Sequence, residues 1–153
     1  MSDAIRVGLV GFGYASKTFH APLIGGTPGM ALKAVASSDA DKVHADWPGV
    51  KVMSAPGDLL DDPDIDLVVI ATPNDTHFPL AKAALEAGKH VVVDKPFTVT
   101  LSQARELDAL ARSLGRVLSV FHNRRWDSDF LTLKALLADG VLGEVAYFES
   151  HFD

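Results

Sequence analysis

The sequence predicts an α/β fold with a doubly wound parallel sheet, and three observations carry that expectation. Apolar runs of strand length alternate with segments of helical period, the order of successive βαβ units with right-handed crossovers. Residues 65–71, apolar but for Asp66, form a run of strand length, the pattern of a strand covered on both faces. The turn Gly11-Phe12-Gly13 joins the first strand to a helix, and a tight strand-to-helix turn of this kind needs glycine.

Each element follows from the residues in turn. Residues 5–10 are a short apolar strand. A helix starts near Tyr14, and Pro22, which lacks an N–H and crowds the preceding turn, is expected to end or kink it near His20. Thr27-Pro28-Gly29 is a turn before a second strand over residues 31–36. A short helix over 39–47 stops at Pro48-Gly49; a small strand at 50–53 and one helical turn at 56–60 follow. After the central strand, Asn74 or Asp75 is expected to cap a helix over 75–87, which Gly88 ends. Residues 91–93 form the next strand. Thr100 caps a helix whose Leu107, Leu110, Ala111 and Leu114 share one face, and Gly115 ends it. Residues 117–121 and 127–138 supply a further strand and helix.

The segment 144–152 alternates like a strand, with Val145, Tyr147 and Glu149 on one face and Ala146, Phe148 and Phe152 on the other. No later segment is at hand to pair with it, and an unpaired aromatic edge invites aggregation. The expectation is therefore two parts: a nucleotide-scale α/β domain over residues 1–122, and the truncated start of an α+β second domain over 123–153.

Composition narrows the function by exclusion. The chain has 153 residues, 48% of them apolar, which suits a soluble globular domain able to bury its own core. A net charge of −6 argues against general affinity for nucleic acid or an anionic membrane. The absence of cysteine removes disulfides, thiolate catalysis and cysteine-type zinc sites. Charged residues interrupt every apolar run short of bilayer length, and the start lacks a basic segment followed by an apolar one. A cytoplasmic location is expected. Asp58, Asp61, Asp62, Asp64 and Asp66 cluster at the end of the sheet opposite the crevice, so they read as solvated caps, and no metal is expected.

The chemistry gathers at the carboxyl ends of the strands, where open α/β sheets bind ligands. Gly11-Phe12-Gly13-Tyr14 opens a helix, so Gly11 allows the turn and Gly13 leaves room for a pyrophosphate against backbone N–H groups. Ser37-Ser38-Asp39 ends the second strand. The serines can bond a ribose 2′-phosphate, an acidic residue there reads the free 2′-hydroxyl, and Asp39 can equally cap the helix that follows. The cofactor expected is NADP or NAD, with NADP favoured. Thr72-Pro73-Asn74 follows the central strand at the same crevice, and His77 could meet the cofactor phosphates or pack. His20 and His90 are expected to be structural. Lys95, in Asp94-Lys95-Pro96, is held extended by the following proline at the lip of its strand, where an ammonium can polarise a hydroxyl or carbonyl. His122-Asn123-Arg124-Arg125-Trp126 returns to the crevice side, and Asn123 and Arg125 suit a polyhydroxylated substrate; pairing of the arginines with Asp127 or Asp129 is the competing reading.

In this order and spacing, the glycine-rich turn, Thr72-Pro73-Asn74 with His77, Asp94-Lys95-Pro96 and Asn123-Arg124-Arg125 resemble the glucose–fructose oxidoreductase / inositol dehydrogenase / MocA family. Phe19-His20-Ala21-Pro22 and Phe121-His122-Asn123-Arg124-Arg125-Trp126-Asp127 are most similar to its NADP-using scyllo-inositol dehydrogenase-like subgroup. The resemblance implies a Rossmann domain, followed by a larger sheet-rich domain that holds a polyol or sugar and mediates homo-oligomerisation. It implies that Lys95 contacts the substrate hydroxyl and the nicotinamide ribose. It implies as well a histidine acid/base, in an Asp-x-x-x-His-type motif that would lie beyond Asp153, so that residues 1–153 are inactive alone. Asp94 stands where the family usually has Glu, and Ser38-Asp39 where its NADP users carry Ser-Arg. The rival readings are a non-catalytic dinucleotide sensor and a sugar-binding module without a cofactor.

Overall fold

The computed structural model describes residues 4–151, in which six strands form one parallel sheet in the order β3-β2-β1-β4-β5-β6. The strands are β1 (Ile5–Val10), β2 (Met30–Ala36), β3 (Lys51–Met53), β4 (Leu67–Ile70), β5 (His90–Val93) and β6 (Leu118–Val120). The helices are α1 (Ala21–Gly26), α2 (Ala40–Asp46), α3 (Pro56–Leu60), α4 (Asn74–Glu86), α5 (Leu101–Ser113) and α6 (Ser128–Ala138). The chain divides into two compact units, one ending at Phe121 and the other beginning at His122. Among the described residues, no helix is long and apolar enough to cross a membrane.

The doubly wound arrangement follows from strand alternation. Side chains of a strand point to opposite faces in turn. Val7 and Leu9 of β1 therefore pack with Ala21, Ile24 and Val43 of α1 and α2 on one face. Val10 packs on the other face with Leu59 of α3, Ala81 and Leu85 of α4, and Leu107 of α5. Gly8 shares that second face, and a Cβ there would lie 2.6 Å from Leu59 Cδ2, so the glycine lets the leucine seat against the sheet. Both faces are thus covered, as a parallel sheet requires.

Two expectations are corrected. Of the two outcomes expected at Pro22, an end or a kink, the helix does not end: a π turn over Ser16–His20, closed by the Ala21 N–H on the Ser16 carbonyl, carries it into α1. The wider turn just before Pro22 moves the backbone carbonyls that the ring would otherwise meet. The expected strand over 144–152 is the second correction: residues 145–151 have no ladder partner and no regular structure, because strand conformation persists only when its backbone groups are paired. Phe152 lies outside the described residues. The second unit consists of a 3-10 turn over Asn123–Trp126, then α6, with Phe130, Leu131, Leu136 and Leu137 exposed.

The acidic end of the sheet is held by cations. Arg6 donates through Nε and Nη2 to both oxygens of Asp66, at 2.9 and 2.7 Å, and through Nη1 to Asp64. Lys51 pairs with Asp62, and the buried Lys89 ammonium donates to the carbonyls of Asp62 and Ile65. The Arg6 side chain, with its backbone N–H second, lowers the Asp66 carboxyl to about 2. A depressed carboxyl contributes its full stabilisation above the unfolded value of 3.8 and loses it as the pH falls toward the folded value. The stability gap between wild type and Arg6→Met, measured by urea denaturation, is therefore expected to close as the pH drops from about 4 to about 2. A gap that stays constant across that window contradicts the assignment.

Candidate functional site

The order of the sheet fixes where a ligand can lie. Chain connections leave β1 and β4 toward opposite faces, and the carboxyl ends of these neighbouring strands bound a crevice. Gly11 turns out of β1 with φ +90°, its N–H bonded to the Ala36 carbonyl at 2.9 Å. A Cβ on Gly11 would lie 2.8 Å from the Ala71 carbonyl oxygen and 3.1 Å from Thr72 Cγ2. Only glycine satisfies both the angle and the clearance. The fully buried Ser16 locks the turn by donating its hydroxyl to the Gly11 carbonyl at 2.8 Å. Ser16 thereby does more than allow close packing where a third glycine would stand.

An open cleft of about 450 Å³ runs from this turn to the end of β2. Gly11, Phe12 and Gly13 line one side, and Ser37, Ser38, Asp39 and Lys42 the other, with Thr72 at the β4 lip. A Cβ at Gly13 would meet nothing within 4 Å, so the turn leaves free space along its backbone. Phe12 gives the cleft its backbone while its side chain is buried against the α1 and α2 face. Tyr14 is exposed beside the turn, edge-on to Phe19 with ring centroids 6.2 Å apart. Asp39 caps α2, accepting the Lys42 N–H at 2.9 Å, and its own N–H donates to the Ser37 hydroxyl. Lys42 is the residue that sequence reasoning missed. Its signal was present, a cation in the first turn of the helix after the serine pair. Free space beside a glycine turn, two hydroxyls and an ammonium suit an anionic ligand extended along the crevice.

The second lip of the crevice is built from loops after β4 and β5. Pro73 precedes α4, and neither Asn74 nor Asp75 caps it by a side-chain bond, which corrects the expected cap. Instead the Thr76 hydroxyl donates to the Pro73 carbonyl at 2.6 Å and lies 2.6 Å from the Thr72 hydroxyl. Pro73 and Asn74 remain exposed at the lip. His77 is 1% exposed, with Nδ1 2.8 Å from the Pro96 carbonyl and Nε2 2.9 Å from the Thr72 carbonyl. Both ring nitrogens face carbonyls, so the expected phosphate contact is corrected to a brace between the two loops. Asp94 continues the ladder by donating its N–H to the Ile70 carbonyl, and its Oδ1 accepts the Lys95 N–H at 2.7 Å. The Lys95–Pro96 bond is cis, and Lys95 itself is exposed.

Beneath this lip lies His20, 3% exposed, its Nε2 3.4 Å from Asp94 Oδ2. Burial lowers the His20 pKa below its ordinary value, against the opposing influence of the Asp94 carboxylate. His90 accepts the Val117 N–H through Nδ1 and so aligns β5 with β6. In the second unit, Arg124 pairs with Asp127 at 2.9 Å, while Arg125 is exposed and Asn123 half-buried in the 3-10 turn.

Comparisons with known proteins agree with this geometry. The profile of the family described as "Oxidoreductase family, NAD-binding Rossmann fold" matches residues 5–122. The Escherichia coli K12 protein named "Uncharacterized oxidoreductase YdgJ" is 82% identical over 153 residues, all of this chain and 44% of its own length. The Bacillus subtilis protein named scyllo-inositol 2-dehydrogenase (NADP(+)) IolW is 36% identical over 151 residues, 99% of this chain and 42% of its own. The solved structure of YPO2259 from Yersinia pestis superposes with a TM-score of 0.97 at 72% identity, covering 99% of this chain and 44% of that one. The chain thus spans less than half the length of each of these relatives.

The two glycines of the turn are expected to respond differently to alanine. Gly11→Ala places a side chain in the left-handed region and against the Ala71 carbonyl, so urea denaturation is expected to show a loss of about 1–2 kcal/mol or more. Gly13→Ala is expected to stay within about 0.5 kcal/mol of wild type. Equal losses at the two positions contradict the distinction.

Proposed function

Because the chain belongs to the oxidoreductase family with an NAD-binding Rossmann fold, we propose that it is the cofactor-binding part of an enzyme that passes hydride between a nicotinamide dinucleotide and a secondary alcohol or ketone of a cyclitol or sugar. The observation that carries this reading is the cleft in which Gly11, Gly13, Ser37, Ser38 and Lys42 meet at the switch point of the sheet. The free space beside Gly13 fits a pyrophosphate against the backbone of the turn. The substrate class is supported by the relative named as a scyllo-inositol dehydrogenase and by the polar run Asn123-Arg124-Arg125.

NADP is the favoured cofactor. Asp39 caps α2 through Oδ1, and Ser37, whose hydroxyl also meets the Asp39 backbone, lines the cleft with Ser38 and Lys42, so that hydroxyls and a positive charge are at hand for a 2′-phosphate. The same relative carries NADP(+) in its name. When bound, the nicotinamide supplies or accepts the hydride. The residues of this chain bind and orient. Thr72, Pro73 and Asn74 border the cofactor at the β4 lip. The Lys95 ammonium, exposed at the adjacent strand end, hydrogen-bonds the substrate oxygen and stabilises negative charge developing on it. Asn123 and Arg125 engage further substrate hydroxyls. A base outside these residues takes the hydroxyl proton.

Isothermal titration of the 153-residue chain is expected to give tighter binding of NADPH than of NADH. Lys42→Glu is expected to weaken NADPH by about 10-fold or more, since it removes a charge-assisted hydrogen bond, and to affect NADH little. Equal affinity for the two cofactors in both proteins contradicts the NADP assignment. In the protein that carries this chain, Lys95→Met is expected to lower turnover of cyclitols by about 100-fold or more while NADPH binding survives. Unchanged turnover contradicts the role of Lys95.

A further inference from the structure

His20 is a buried polar side chain that the functional reading leaves without a task. It closes the π turn over Ser16–His20, and single π turns inside longer helices recur at functional sites. The turn brings an imidazole that is 3% exposed to the underside of the Asp94-Lys95 lip. Its ring centroid lies 4.3 Å from that of Phe121, which in turn donates its N–H to the Val93 carbonyl. Phe121 is therefore fixed to the end of β5 and holds the imidazole against one side. On the other side is the Asp94 carboxylate, with Oδ2 3.4 Å from Nε2. At that separation the contact is longer than an ordinary hydrogen bond, and among the described residues Nε2 has no other polar partner. Burying such a group without a bond is unfavourable, and the carboxylate is the acceptor within reach.

The far oxygen of the same carboxylate already holds the backbone of Lys95, at 2.7 Å. A push or pull on Asp94 is thus transmitted to the residue assigned to the substrate. We propose that His20 is a positioning residue of the reaction: its Nε2–H steers the Asp94 carboxylate, and through it sets the backbone, and hence the ammonium direction, of Lys95. Its burial leaves no route for the imidazole to touch substrate, so its effect runs through Asp94 alone. In the neutral ring, donation from Nε2 leaves Nδ1 unprotonated. The inference rests on the role given above to Lys95, and its test is independent of turnover.

Nuclear magnetic resonance of the 15N-labelled 153-residue chain reads the coupling from both ends. Asp94→Asn removes the carboxylate that raises the His20 pKa, so the imidazole is expected to titrate at lower pH than in wild type. His20→Phe keeps a ring beside Phe121 but removes the donor, and is expected to shift the Lys95 backbone amide resonance. His20→Gln retains an N–H donor and is expected to bring that resonance back toward its wild-type position. A His20 titration unaffected by Asp94→Asn, or a Lys95 amide that moves equally in the Phe and Gln variants, overturns the proposal. In the protein that carries this chain, His20→Phe is expected to lower kcat by about 10-fold with NADPH affinity unchanged, and His20→Gln to recover most of it. A kcat equal to wild type in His20→Phe overturns the positioning role even where the resonance shifts are seen.

Discussion

The backbone leaves β1 at Gly11 under a constraint that the rest of the crevice inherits. There the chain must pass within touching distance of the Ala71 carbonyl, at the end of the neighbouring strand, and must do so at a positive φ. A side chain would hold β1 and β4 apart at the point where their connections diverge. With glycine, the Gly11 N–H reaches Ala36 on one neighbour while the Ala71 N–H reaches Val10 from the other. Three strand ends are thereby tied together, and the turn that follows projects Gly13 into open space rather than into a neighbour. Ser16 then anchors the turn from the helix side. The cleft is a consequence of that packing.

The opposite lip is rigid for a different reason. The ladder runs one bond past β5, from the Asp94 N–H to the Ile70 carbonyl, and beyond it the loops are held by side chains. His77 spans from the Thr72 carbonyl to the Pro96 carbonyl, and the Asp94 carboxylate holds the Lys95 N–H. The buried His77 ring meets partners that tie loop to loop, the condition under which burial of such a group is tolerated. The exposed Lys95 is consequently carried on a loop braced from beneath, which is what its proposed role of orienting a substrate requires.

Much of this was legible in the residues. Alternating apolar runs and helical segments determine the parallel sheet, and the position of Gly11-Phe12-Gly13 after the first strand determines where its crevice lies. Lys95 was legible because Pro96 restricts it and because a strand precedes it. What escaped the sequence were matters of register and of tertiary partners. A proline at position 22 reads as a helix end or kink, and only the π turn shows how the helix passes it. His77 reads as either a phosphate contact or a packing residue from its place in a first helical turn, and the carbonyl of Pro96, distant in sequence, decides for packing. Asp39 and Lys42 were equally visible as charges, and both line the cleft; only the structure shows that Asp39 caps the helix with one of its oxygens. The alternating pattern of residues 144–151 was real as a pattern, yet alternation without a pairing partner does not make a strand.

The central claim is that the Gly11–Gly13 turn and the end of β2 form one dinucleotide site. Mapping NADPH-induced changes in the backbone amide resonances of the 15N-labelled chain tests it most directly. The account predicts the largest changes at Gly11, Gly13, Ser37, Ser38 and Lys42, with Arg6, Asp64 and Asp66 at the opposite end of the sheet unmoved. Changes centred on that acidic end, or spread without focus over both ends, would contradict it.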